Sequence, residues 1–230
     1  MYRTEDGGIL LPEPSRATRD VTKASRGHQS GSRVIATARA AGGQIVRFES
    51  GGEGNALSAF AADPDVVDIE EQPPAVEWID HNGRKRLKTF DFRVTVKDGS
   101  RVAVEVKPAE IAARTALLDE LRCLARTMPR AFADSISLVT DKGIDPIALH
   151  NSQVIARYCR PADFEADDKA GALVACLTGA VEITDIVKAV GLGHRGFGAV
   201  VRLIFRRRLR LLKDERISYR ALVKPVEGGR

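Results

Sequence analysis

The stretch from Lys88 to Pro108 constrains the fold more than any other part of this chain. Phe90, Phe92, Val94 and Val96 alternate with other residues, Lys97-Asp98-Gly99-Ser100 supplies turn chemistry, and Val102, Val104 and Val106 resume the alternation. The pattern predicts two β-strands joined by a tight turn. Because strand side chains alternate with period two, Asp91, Glu105 and Lys107 share one face, opposite the valines. Two clustered carboxylates repel, and a divalent cation is a usual remedy. The same spacing also suits an exposed cross-strand ladder of charged side chains, and alternation alone does not choose between the two.

The flanking segments extend the hairpin into a mixed sheet. Glu53, Leu57, Phe60 and Ala61 recur at helical spacing before Asp63-Pro64. Val66–Ile69 and Ala75–Ile79 read as strands, with Glu70-Glu71-Gln72-Pro73-Pro74 between them, and Asp80-His81-Asn82-Gly83 reads as a turn, so the middle of the chain is expected to be an antiparallel meander. Apolar residues at helical spacing over 111–128 predict one helix, and Ser135–Thr140 a strand. Strand, helix, strand in this order favours a crossover that lays the last strand parallel beside the strand of Glu105. Residues 147–158 are expected to be helical, with Arg160-Pro161 as a hinge.

Residues 1–32 read as a flexible arm whose Arg3, Arg16, Arg19, Lys23 and Arg26, with Arg33 just beyond, could reach phosphates. Residues 33–160 form the expected first domain and residues 161–230 a second, smaller one. The latter reads as helix, helix, turn, helix and hairpin, the order of a winged helix-turn-helix. It holds the densest positive run of the chain, Arg202, Arg206, Arg207, Arg208, Arg210 and Lys213, a candidate for phosphate contact or for an acidic patch on a protein partner.

Composition excludes some classes. Aromatic residues make up only 5%, too few for a base-stacking platform, and the net charge of +5 is a mild lean toward polyanions. Cys123, Cys159 and Cys176 are scattered and odd in number, so they imply buried free thiols in a reducing compartment rather than a zinc site or a disulfide framework. No leader or membrane span is expected, and a cytoplasmic location follows.

Asp91 followed, after a strand and turn, by Glu105-Val106-Lys107 resembles the PD-(D/E)XK nuclease superfamily. Glu49 with Glu53, Asp63-Pro64-Asp65-Val66-Val67, Glu70-Glu71-Gln72-Pro73, Thr89-Phe90-Asp91-Phe92 and Val104-Glu105-Val106-Lys107-Pro108, in that order, are similar to the N-terminal catalytic domain of the TnsA family of transposon-end endonucleases. The resemblance implies an α/β fold, a restriction-endonuclease-like mixed β-sheet flanked by helices and followed by a small winged-helix domain. It implies Glu53 as the helix acid, Asp91 and Glu105 with the Val106 carbonyl as metal ligands, Lys107 as the catalytic lysine and Gln72 in support. Mg²⁺, replaceable by Mn²⁺, would be the cofactor. Double-stranded DNA would be the substrate and a separate transposase subunit a partner. A restriction or repair endonuclease on the same fold, or a non-catalytic DNA-binding or assembly protein, are the alternatives.

Overall fold

The computed structural model describes residues 2–3, 9–18, 30–142, 144–159 and 162–226. The chain divides into two compact units: residues 1–60 with 65–144, and residues 61–64 with 145–230.

The first unit is built on a four-stranded sheet of order β10-β9-β8-β5. Its members are β5 (Val66–Glu71), β8 (Phe92–Val96), β9 (Arg101–Val106) and β10 (Ser135–Val139). The hairpin read from the sequence is β8–β9, antiparallel with Phe92 opposite Val104 and Val94 opposite Val102. As expected, β10 lies parallel to β9, with Val139 beside Val106. The meander is corrected: β5 pairs directly with β8, and β6 (Val76–Ile79) and β7 (Lys85–Lys88) form a separate hairpin outside that sheet. β5 also runs through Glu70 and Glu71, because Glu71 pairs opposite Phe92 and the strand continues to the end of its partner.

Among the described residues, two further strand pairs and three helices complete this unit. The strands β1 (Tyr2–Arg3) and β2 (Ile9–Leu10) pair with one another, and β3 (Gly31–Ile35) pairs with β4 (Gln44–Phe48). The latter hairpin escapes a periodicity reading because Gly31-Ser32-Arg33 offers no apolar alternation. Helix α1 (Gly51–Ala61) follows, and its Phe60 ring meets Phe92 edge-on at 5.8 Å. Gly54 permits a close approach, since a Cβ there would stand 3.0 Å from the Phe48 ring. The expected single helix over 111–128 is two, α2 (Ala109–Arg114) and α3 (Leu117–Thr127). The break falls at Thr115, whose backbone is extended while its hydroxyl donates to the Ile111 carbonyl at 2.9 Å.

Residues 11–18 lie within the stretch expected to be a flexible arm, yet they are tied to the sheet. Ser15 Oγ donates to Glu71 Oε1 at 2.6 Å, and Arg16 Nη2 to Asp68 Oδ1 at 2.6 Å and to the Ile69 carbonyl at 2.8 Å. Thr18 donates through its amide and hydroxyl to the Gln72 carbonyl. Arg16 is therefore occupied, as is Arg33, which binds Gly54 O and Ser58 and stacks over Phe48. Arg19, Lys23 and Arg26 lie outside the described residues, as does the side chain of Arg3.

The second unit contains α4 (Pro146–Tyr158), α5 (Phe164–Ala175), β11 (Val181–Glu182), α6 (Ile183–Val190), α7 (His194–Phe205), β12 (Leu209–Leu211) and β13 (Leu222–Pro225). The helix α4, placed by the sequence reading at the end of the first domain, thus groups here. The strands form a sheet of order β11-β13-β12. Ile217, ahead of the last strand, is buried in the preceding loop, its amide donating to Asn151 Oδ1 at 2.7 Å. Helix α6 ends at Gly191, φ 72°, a left-handed C-cap that glycine accepts without strain. Helix α7 is the centre of the unit: every residue from Gly196 to Leu203 is buried. No described helix is long and apolar enough to cross a membrane. Cys123 and Cys159 are half-buried and Cys176 is exposed, so the expectation of buried thiols fails for the last, which follows the final turn of α5.

Candidate functional site

The residues that bear chemistry meet where β8 begins and β9 ends. Phe90 and Phe92 are both fully buried and two residues apart, but they pack on opposite faces. Phe90 belongs to the cluster of Ala103, Leu121 and Leu124 beneath α3, whereas Phe92 pairs with Val104 and faces Phe60. The chain bends at Asp91 to allow this, so Asp91 stands just before β8 rather than near the middle of a strand.

Two backbone bonds and one side-chain bond fix that bend. The Asp91 amide donates to Val104 O at 3.0 Å, and its carbonyl accepts from the Gln72 amide at 2.9 Å. Its carboxylate Oδ2 accepts the Val106 amide at 2.7 Å. Gln72 is buried and has φ 43°, a left-handed conformation that a non-glycine residue adopts at a cost. It closes the end of β5 against Asp91 while Thr18 covers its carbonyl.

Glu105 is 3% exposed and Asp91 6% exposed, so both carboxylates are taken out of water. Lys107 Nζ lies 3.0 Å from Glu105 Oε1 and 3.5 Å from Asp91 Oδ2, and donates to Val106 O at 3.2 Å. A second ammonium, that of Lys88, lies 3.2 Å from the same Glu105 Oε1. The other oxygen, Glu105 Oε2, is buried with no hydrogen-bond partner. Burying a carboxylate oxygen unpaired is costly, and the unpaired oxygen is suited to a hard cation.

Burial pushes the Asp91 carboxyl above the usual carboxylate range, with the Glu105 charge adding and the Lys107 ammonium and Val106 amide opposing. Burial works against the charge of Lys107, but the Asp91 and Glu105 carboxylates outweigh it and hold its pKa above the usual lysine value. Burial likewise raises Glu53, and the charge of Asp91 adds to the effect; the start of α1 lies against the end of β9, where a Cβ on Gly52 would stand 3.5 Å from Val106.

The sequence-predicted residues divide into those brought together and those not. Asp91, Glu105, Val106 and Lys107 converge, and Gln72 braces them. Glu53 is near, but both of its oxygens are engaged at the start of α1. Oε2 accepts the Glu49 amide at 2.8 Å, and Oε1 accepts from Ser50 Oγ at 2.9 Å, while Ser50 Oγ accepts the Glu53 amide at 3.2 Å. Ser50 and Glu53 thus cap the helix reciprocally. Among the described residues no group of three or more His, Cys, Asp or Glu side chains stands together to hold a metal, so a cation here would rest on two carboxylates, a carbonyl and water. Lys88 was missed because its partner Glu105 is remote in sequence and β7 is otherwise exposed.

In the second unit the basic run is split. Arg202 is only 5% exposed, its Nε donating to Asp167 Oδ1 at 2.7 Å and its Nη1 to Tyr158 O at 3.1 Å. It is a packing residue, and the expectation of phosphate contact is corrected for it. Arg206, Arg207, Arg208, Arg210 and Lys213 are exposed.

Residues 63–144 match the family model described as TnsA-like endonuclease N terminal. This part of the chain is thus similar to the N-terminal domain of TnsA-like endonucleases. The matched segment carries Gln72, Lys88, Asp91, Glu105, Val106 and Lys107, and leaves out Glu53. No curated protein matches the chain.

Proposed function

We propose that the chain is a divalent-cation-dependent DNA endonuclease that hydrolyses phosphodiester bonds at transposon ends. The observation that carries this reading is the buried Asp91–Glu105–Lys107 cluster, with an unpaired Glu105 oxygen, inside the TnsA-like segment. Asp91, Glu105 and the Val106 carbonyl are hard oxygen donors of the kind that Mg²⁺, or Mn²⁺ in its place, prefers. A bound cation supplies Lewis-acid polarisation of the scissile phosphate and a more acidic water.

The chain's own groups do the rest. The Val106 amide orients the Asp91 carboxylate, and the Gln72 amide and Val104 carbonyl hold the Asp91 backbone. Lys107, half-exposed at the edge of the site, stays protonated beside its two carboxylates and is placed to orient water or to neutralise charge on the phosphate. Glu53 supports the site through its cap on α1 and its charge beside Asp91.

The second unit is read as a winged-helix-like DNA-binding module. Its order of elements supports this, but the burial of α7 leaves no free face for a groove. Contact with the DNA backbone then falls to Arg206–Arg208 at the end of α7 and to Arg210 and Lys213 in and after β12. A separate transposase subunit is the expected protein partner, and the cytoplasm the expected compartment. The test is nicking of supercoiled plasmid in Mg²⁺ by the wild-type protein with its transposase, beside Lys107→Ala. Loss of nicking in the variant is expected, and nicking undiminished in Lys107→Ala would sink the reading.

A further inference from the structure

We propose that Lys88 is a positioning residue of the site, a counter-ion that holds Glu105 when no cation is bound and passes to Glu120 when one binds. The inference rests on the metal-dependent reading above. Lys88 ends β7, a strand whose other residues, Lys85, Arg86 and Leu87, are all exposed. Its own side chain is 16% exposed, less than the 36% of Lys107, and it points to the buried acid rather than to solvent. Burying a lysine stem and head this far is unfavourable unless the charge is paired.

Both ammonium groups bear on one oxygen. Lys88 Nζ is 3.2 Å and Lys107 Nζ 3.0 Å from Glu105 Oε1, while Oε2 has no partner. Two lysines against Asp91 and Glu105 already cancel the negative charge of the pair. A dication entering beside both ammonium groups would meet repulsion in a site largely shielded from water. One ammonium must therefore have somewhere to go. Lys107 is held by Asp91, Glu105 and the Val106 carbonyl, all inside the site. Lys88 alone has an acceptor outside it: Glu120 Oε1 on α3, 3.5 Å from Nζ and 41% exposed. The same lysine thus touches one carboxylate in the site and another at its rim, and shifting between them changes the charge at Glu105 by one unit without exposing an unpaired ammonium.

Titration of Mn²⁺ into the full-length protein by calorimetry tests this, using wild type, Lys88→Met, Glu120→Gln and Asp91→Ala. Lys88→Met keeps the apolar stem and removes the competitor, so it should bind Mn²⁺ about tenfold more tightly. Glu120→Gln removes the alternative acceptor, and should bind about threefold more weakly, a modest effect in keeping with its exposure. A lysine that merely packs would not give shifts of opposite sign. Equal affinity of Lys88→Met and wild type overturns the proposal, and should that variant not fold, unchanged affinity of Glu120→Gln does so. If Asp91→Ala binds Mn²⁺ as wild type does, the metal site itself is misplaced. If only Asp91→Ala loses binding, the site stands and the role of Lys88 falls.

Discussion

Asp91 Oδ2 accepts the amide hydrogen of Val106 at 2.7 Å, so the acid just before one strand is locked to the backbone of its neighbour in the middle of the Glu105-Val106-Lys107 run. The bond separates two jobs of one carboxylate. Asp91→Ala leaves the buried Val106 amide unsatisfied and is expected to cost about 1–3 kcal/mol of stability. Asp91→Asn keeps an acceptor there and should stay close to wild type in urea denaturation. Both variants should fail to nick DNA.

The raised carboxyls of Asp91 and Glu53 set a pH dependence for the cation-free protein. A folded-state pKa above the unfolded value, about 4, means that the native state binds protons more tightly. The stabilisation is complete below that value and is lost as pH rises through the folded pKa values. Melting temperatures in EDTA should therefore fall over this acidic window, and less so in Asp91→Asn. Parallel profiles for the two proteins would count against a desolvated, ionisable Asp91.

Gln72 has φ 43° where it closes β5 against Asp91. A β-branched residue tolerates this conformation poorly, while glycine accepts it freely. Relative to Gln72→Gly, the variant Gln72→Val should lose a further ~1–3 kcal/mol in chemical denaturation, through backbone strain alone.

Arg202 and Arg210 look alike in sequence and should behave oppositely. Removing the buried Arg202 uncovers Asp167, so Arg202→Ala should cost about 3–5 kcal/mol in unfolding experiments. Arg210→Ala, on an exposed position of β12, should leave stability unchanged and lower the salt dependence of DNA binding by about one phosphate contact.

Much of the site was legible because it is local in sequence. Alternation finds the hairpin whose open end carries Asp91, Glu105 and Lys107, although the bend at Asp91 breaks the alternation there, and the parallel β10 follows from the strand–helix–strand order. Long-range pairing was not legible. Nothing in the period of Glu70-Glu71 says that β5 skips a whole hairpin to join β8, nor that Ser15 and Arg16 return to that strand. The same limit hid Lys88, whose importance comes from a carboxylate on another strand. In Arg202 a helical charge pattern pointed outward while a single buried partner, Asp167, drew the side chain inward.

The most direct measurement is single-turnover nicking of supercoiled DNA by wild type and Glu105→Gln in Mg²⁺, with the transposase present. The substitution keeps size and removes the charge on Glu105, the one buried carboxylate among the described residues with a partnerless oxygen, Oε2. Wild type should nick with Mg²⁺ and stop on addition of EDTA, and Glu105→Gln should be inert under both conditions. Cleavage by Glu105→Gln at the wild-type rate would contradict a cation site at Asp91 and Glu105.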